Sequence, residues 1–162
     1  VASSNCALYC NADVDFVDID PITYNMSHIA LEKKLIEAKL KGRLPKVVIP
    51  VHLSGQSCEM DKIHALSKIY NFKIIEDASH SIGSSYKGKL VGNCEYSDIA
   101  VFSFHPVKII TTCEGGMCLT NDSELSKLLA RYRSHGITRQ ASYGVKEIFK
   151  MSNVMDQTVT YK

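Results

Sequence analysis

The sequence predicts an α/β fold built on a mostly parallel sheet, and three observations carry that prediction. Stretches with helical apolar spacing alternate with short runs rich in β-branched and apolar residues. Those runs are near-continuously apolar, as in Val47-Val48-Ile49, which suits strands covered on both faces. Alternation of strand and helix also points to parallel neighbours joined by crossovers, with helices covering the sheet.

In chain order, the first predicted strand is Val14 to Ile19. A helix follows from Ser27 to Lys41, with Ile29, Ile36 and Leu40 among its apolar positions and Gly42 just past its end as a left-handed cap. Lys46 to Val51 reads as a strand, and Glu59 to Tyr70 as a helix with Met60, Ile63, Leu66 and Tyr70 on one side and Asn71 as its stop. Strands are predicted at Lys73 to Ile75, Asp98 to Phe104 and Gly116 to Leu119. The last helix opens at Asn121 or Asp122, where Glu124 resembles a capping-box partner, and carries Leu125, Leu128, Leu129 and Tyr132 toward Gly136. Gln140 to Lys162 has no clear period and receives no assignment.

The 162 residues are 45% hydrophobic and 22% charged, enough to bury a core, with one domain as the default count. A net charge of +2, from 19 basic and 17 acidic residues spread along the chain, offers no basic stripe for nucleic acid or anionic lipid. The longest apolar runs, Val47 to Val51 and Ile99 to Phe104, fall far short of the roughly 20 residues that span a bilayer. No basic segment precedes an apolar stretch at the amino end, and Val1 stands in place of a methionine, so the expectation is an interior piece of a cytoplasmic protein. None of the six cysteines forms a C-x-x-C pair and the six histidines lack ligand spacing; reduced thiols and no metal site are expected.

Gly83 to Leu90 nearly matches the G-x-x-x-x-G-K-[ST] phosphate loop, but Leu90 has no hydroxyl to hold magnesium, and Val91-Gly92 follow where a helix would begin. A solvent-facing turn is the better account. In parallel sheets, ligands gather beyond the carboxyl ends of the strands. Two candidates stand there. Asp77 closes the run Ile74-Ile75-Glu76-Asp77-Ala78, where a carboxylate can face a pocket and suits a heterocyclic cation; the same position also suits a cap or turn acid. Lys108 ends Ser103-Phe-His-Pro-Val-Lys108, held beside a strand end by Pro106 and by the tight reversal that Gly115-Gly116 permits. Spacing alone does not separate it from an ordinary surface lysine.

Several segments, in this order, resemble the DegT/DnrJ/EryC1/StrS family of sugar aminotransferases. They are Ala7-Leu-Tyr-Cys10, Phe16-Val-Asp-Ile-Asp-Pro21, Val51-His-Leu-Ser-Gly-Gln56, Glu76-Asp-Ala-Ser-His80, and Val101 to Lys108 continuing through Thr111-Thr-Cys-Glu-Gly-Gly116. The likeness covers Val1 to Arg139 and implies the central part of a three-layer α/β/α large domain of fold type I pyridoxal-phosphate transferases, here incomplete, with 140–162 left as an unassigned tail. It is closest to members that aminate C4 of a UDP-linked 4-keto-6-deoxy-N-acetylhexosamine on the way to pseudaminic acid.

By this resemblance, pyridoxal 5'-phosphate is the cofactor and Lys108 its Schiff-base lysine. A lysine is needed because its neutral amine first forms the imine and later moves a proton, which an always-protonated arginine cannot do. Asp77 would pair with the pyridine nitrogen, Ser103 would bond the phosphate, and His80 would line the pocket near the ring hydroxyl. Relatives that dehydrate carry histidine at the lysine position, so Lys108 argues for amination. Glutamate would be the amino donor, a UDP-4-keto sugar the acceptor, and a homodimer the assembly. Members are more than twice this length, so these 162 residues alone are expected to bind cofactor poorly, turn over nothing and associate through uncovered edges. The rival expectation is a non-catalytic relative that keeps the fold for sugar-nucleotide binding or regulation.

Overall fold

A computed structural model describes residues 1–137. The unassigned tail, 140–162, lies outside the described residues. The chain divides into two compact units, one of residues 17–126 and one of residues 1–16 with those from Lys127 onward.

In the larger unit, α2 (His28–Leu40), β1 (Val47–Val48), a 3-10 turn (Leu53–Gly55), α3 (Met60–Tyr70), β2 (Lys73–Asp77), β3 (Ser85–Tyr86), β4 (Lys89–Leu90), β5 (Ile99–Ser103) and β6 (Gly116–Leu119) follow α1 (Ala2–Tyr9) of the smaller unit; α4 (Ser123–Arg133) begins in the larger unit. The main sheet has the order β1-β2-β5-β6. β1 and β5 flank β2 in parallel, while β6 returns antiparallel to β5. The sheet is therefore mostly parallel, as predicted, with one antiparallel edge.

The helix stops work as the sequence indicates. Ser27 caps α2, its hydroxyl accepting the Ala30 N–H. Gly42 takes a left-handed turn (φ 63°) while Arg43 N–H bonds Ala38 O and Gly42 N–H bonds Lys39 O, a Schellman ending. Asn71 stops α3 in the same region at φ 57°. Asp122 opens α4, its carboxylate accepting the Glu124 and Leu125 N–H groups.

Three elements differ from the sequence reading, while the phosphate-loop look-alike is the solvent-facing turn expected there, formed as a hairpin. Val14 to Ile19 is not a strand: the Asp15 and Asp18 carboxylates bond the N–H groups of Phe16 and Ile19, and Asp20 takes those of Ile22 and Thr23, so local side-chain bonds replace a ladder. Ile19 keeps a single bridge to Met26. α1, unassigned in the sequence, buries no residue and so leaves no apolar stripe to read. In α2 the buried pair is Leu31 and Leu35, whereas Ile29, Ile36 and Leu40 are exposed. Both faces of this helix are apolar, and periodicity does not tell which one packs. The phosphate-loop look-alike is the hairpin β3–β4, turned by Lys87 (φ 49°) and Gly88 (φ 79°), two positive-φ residues as a type I′ turn requires. It is pinned to α3 where the Lys87 ammonium meets Asp61 at 2.6 Å and the Tyr86 hydroxyl donates to the same carboxylate.

The core joins Leu31 and Leu35 of α2 to Met60, Ile63 and Leu66 of α3, with Val48 and Ile74 beneath them from the sheet. Side chains alternate across the sheet, so Ile74, Glu76, Ala100 and Phe102 are buried on one face while Ile75, Asp77, Ile99, Val101 and Ser103 are only half-buried on the other. The strands were expected to be covered on both faces; within this unit Val47 of β1 is 41% exposed. No helix among the described residues is long and apolar enough to cross a membrane.

Candidate active site

Register places two of the four candidates together. Asp77 pairs with Val101, and Ser103 lies two residues beyond Val101, so both side chains take the half-buried face at the carboxyl ends of adjacent parallel strands. Ser103 in turn pairs with Gly116, where a Cβ would stand 2.9 Å from the Phe102 carbonyl oxygen; glycine is required there by close approach.

The Asp77 backbone is held on both sides, its N–H by Pro50 O at 2.9 Å and its carbonyl by His52 N–H at 3.1 Å. One carboxylate oxygen accepts the Ser79 N–H at 3.1 Å, starting the turn that leads to His80. Asp77 thus acts as a turn acid and also remains half-buried at a strand end. His80 is half-buried behind that turn, closed by Ser81 N–H to Ala78 O.

After β5 the chain makes a loop closed at its base by Phe104 N–H to Gly115 O (2.8 Å), with Thr112 N–H and the Thr111 hydroxyl both on Phe104 O. The Ser103 hydroxyl accepts the His105 N–H at 3.4 Å, and Lys108 N–H bonds His105 O at 2.9 Å, so Pro106 sits in a tight turn. Lys108 is the one half-buried residue between His105 and Gly115.

Sequence reasoning missed a buried polar group on the opposite face. His52, fully buried, bonds Glu76 Oε1 through Nε2 at 2.8 Å, and the Ser97 hydroxyl donates to the other Glu76 oxygen at 2.8 Å. Buried Asn25 ties the same region down, accepting the Leu53 N–H and donating to Gln56 O, each at 2.9 Å. The available signal was Glu76 itself: in β2 it alternates with Ile74 at a core position, where a carboxylate needs partners. Cys58 beside His52 is inert as a nucleophile, its thiol pushed up to about 12 by burial, with the Glu76 charge adding to the effect.

Amine, carboxylate, hydroxyl and imidazole at neighbouring strand ends fit a phosphorylated heterocycle with an aldehyde: one group to bond carbon, one to face a ring cation, one to meet phosphate. Two concavities among the described residues lie elsewhere, one lined by Met60, Glu76, Tyr86 and Tyr96 and the other by His64, Lys68, Phe72 and Asp98. The described residues bring Asp77 and Ser103 to one sheet face, with Lys108 in the loop that follows Ser103.

The fold is that of the large domain of fold type I pyridoxal-phosphate aminotransferases, in part. The chain belongs to the DegT/DnrJ/EryC1/StrS aminotransferase family, whose profile matches residues 1–157. It is 43% identical over 141 residues to the UDP-4-amino-4,6-dideoxy-N-acetyl-beta-L-altrosamine transaminase of Campylobacter jejuni, covering 86% of this chain and 35% of that one. It is 38% identical over 157 residues to GDP-perosamine synthase of Caulobacter vibrioides, covering 95% and 40%. Among solved structures, PseC of Helicobacter pylori, an aminotransferase of pseudaminic acid biosynthesis, superposes with a TM-score of 0.77 at 35% identity, covering 89% of this chain and 36% of PseC. The chain thus spans 35% to 40% of the length of these curated relatives. The aminotransferases of this family use pyridoxal phosphate, and solved relatives are known in pyridoxal and pyridoxamine forms.

Proposed function

We propose that the protein carrying this chain is a pyridoxal-phosphate-dependent aminotransferase that moves an amino group from glutamate to C4 of a UDP-linked 4-keto-6-deoxy-N-acetylhexosamine. The observation that carries the reading is the register that puts Asp77 and Ser103 on one sheet face, followed by the closed loop in which Lys108 alone is tucked in. The 43% identity to the Campylobacter transaminase favours the UDP-linked acceptor. The family likeness further supports a cytoplasmic homodimer.

When bound, pyridoxal phosphate supplies a reactive aldehyde carbon and a ring that accepts electrons. Lys108 Nζ would hold the cofactor's reactive carbon and, when free, would be the amine that moves a proton. The Asp77 carboxylate would keep a proton on the ring nitrogen. The Ser103 hydroxyl would hold the phosphate, and His80 would line the pocket near the ring hydroxyl.

The test uses the full-length protein: load pyridoxal phosphate, reduce with borohydride, digest and locate the modified peptide by mass spectrometry. Label at Lys108 is the expected result. Label at Lys89, or scattered over many lysines, sinks the catalytic reading and leaves a sugar-nucleotide-binding relative. Offering UDP-, GDP- and dTDP-4-keto sugars with glutamate then decides the acceptor; turnover confined to a GDP sugar would overturn the assignment of nucleotide.

A further inference from the structure

The segment Val51 to Gln56 has no part in the chemistry above, yet it is wired into the strand end that bears Asp77. The His52 N–H holds the Asp77 carbonyl at 3.1 Å. Its ring, sealed from solvent, accepts the Cys58 N–H at Nδ1 (3.1 Å), which leaves Nε2 to carry the proton donated to Glu76. Glu76 takes its second donor from Ser97. Three residues on, Gly55 (φ 89°) lies against the next turn: a Cβ there would stand 2.9 Å from the His80 carbonyl oxygen, and the Ser84 hydroxyl holds the Gly55 carbonyl at 2.8 Å.

Glu76 and Asp77 are consecutive in a strand, so their side chains leave the same stretch of backbone on opposite faces. Buried His52 and half-buried Ser97, by holding Glu76 on the covered face, hold that backbone and with it the direction in which the Asp77 side chain leaves on the open one. We infer that His52 and Gly55 are positioning residues, which from the neighbouring strand end set the orientation of Asp77 and His80 toward the cofactor. This rests on the roles given to Asp77 and His80 above.

The experiment titrates full-length protein with pyridoxal phosphate, following affinity, the absorption band of the bound cofactor and the thermal midpoint of the cofactor-free form. A glutamine amide reaches the place of Nε2 and an asparagine oxygen that of Nδ1. His52→Gln, which keeps a donor for Glu76, is expected to bind within about threefold of wild type, and His52→Asn, which loses it, to bind on the order of tenfold more weakly with a displaced band. Gly55→Ala should behave like His52→Asn, because the His80 turn must shift. Ser84→Ala is the mild version, with a loss of about threefold. Leu35→Ala, in the core far along the chain from the site, should lower the midpoint while leaving affinity and band unchanged. Wild-type behaviour in His52→Asn and Gly55→Ala overturns the inference. So does loss of affinity in all variants, Leu35→Ala included, in step with the midpoint. If the wild type itself binds no cofactor, the aminotransferase reading falls and takes the positioning role with it; wild-type binding with indifferent variants removes the positioning role alone.

Discussion

The two strand ends that carry the candidate site are built in opposite ways. Beyond β2, the turn from Asp77 to Ser84 is braced against the preceding strand end: buried His52 bonds Glu76, Gly55 lies against the His80 carbonyl, and the Ser84 hydroxyl bonds the Gly55 carbonyl. Beyond β5, the loop from Phe104 to Gly115 is held mainly at its base, and its apolar side chains Val107, Ile109 and Ile110 are 78%, 64% and 49% exposed. The first end is fixed by its own packing; the second has its backbone closed but its side chains uncovered. A carboxylate that must face one ring atom benefits from rigidity, whereas a lysine that forms and releases a bond needs room to move.

The largest expected effect breaks the uncovered end. Lys108→Ala in the full-length protein should lose transamination by several orders of magnitude and give no borohydride-stable adduct; an adduct that persists elsewhere with activity intact would remove Lys108 from the site. Next comes the rigid end. Asp77→Asn is nearly isosteric and its amide oxygen still accepts the Ser79 N–H, so the fold and the covalent link at Lys108 should survive while turnover falls on the order of 10²-fold or more, because a neutral partner does not hold the ring proton. Near-normal turnover would reduce Asp77 to the turn acid that its bond to Ser79 already makes it.

The contrast between the two ends also explains which parts were legible in the sequence. Strand ends announce themselves by composition, so Asp77 and Lys108 stand out as candidates, whereas Ser103 and His80 take their roles only from the family resemblance, and the stops at Gly42 and Asn71 follow from local backbone chemistry. That Asp77 and Ser103 share a face depends on the pairing of Asp77 with Val101, and register is a tertiary property that spacing along one strand does not encode. The sequence left the direction of β6 open, although the connection from Ser103 to Gly116 contains no helix and so offered a hint of an antiparallel return. The His52–Glu76–Ser97 brace joins three separate segments and had no local signature beyond a carboxylate at an inward position. Val14 to Ile19 failed as a strand because its aspartates bond their own backbone, a competition that apolar counting ignores.

Stability sharpens the comparison further. Leu35, 1% exposed between α2 and α3, should cost about 2–5 kcal/mol on truncation to alanine, read as a lowered denaturation midpoint of the full-length protein. Ile110→Ser in the Lys108 loop should change stability by under about 0.5 kcal/mol if the loop stays uncovered in the whole protein. A loss approaching that of Leu35→Ala would mean that Ile110 is buried there, and that the two strand ends are more alike than the described residues make them.

The smallest expected effect concerns the hairpin that leaves the braced turn. The Lys87 ammonium, then the Tyr86 hydroxyl, hold the Asp61 carboxylate down to about 2, below its ordinary 3.8. A carboxyl group depressed on folding contributes stability that is present above its unfolded value and is lost as pH falls through its folded one, so the window runs from pH near 4 down to pH near 2. The Lys87 side chain is 56% exposed, so solvent screening keeps the pair's contribution small. Asp61→Asn should therefore shift the denaturation midpoint slightly at pH 7, less in high salt, and progressively less as pH falls toward 2, where Asp61 is only about half ionised in the folded protein. A difference as large at pH 2 as at pH 7 would show that the Tyr86 hydrogen bond, and not the charge, pins the hairpin to α3, since a neutral acceptor at Asp61 would then matter as much as an ionised one.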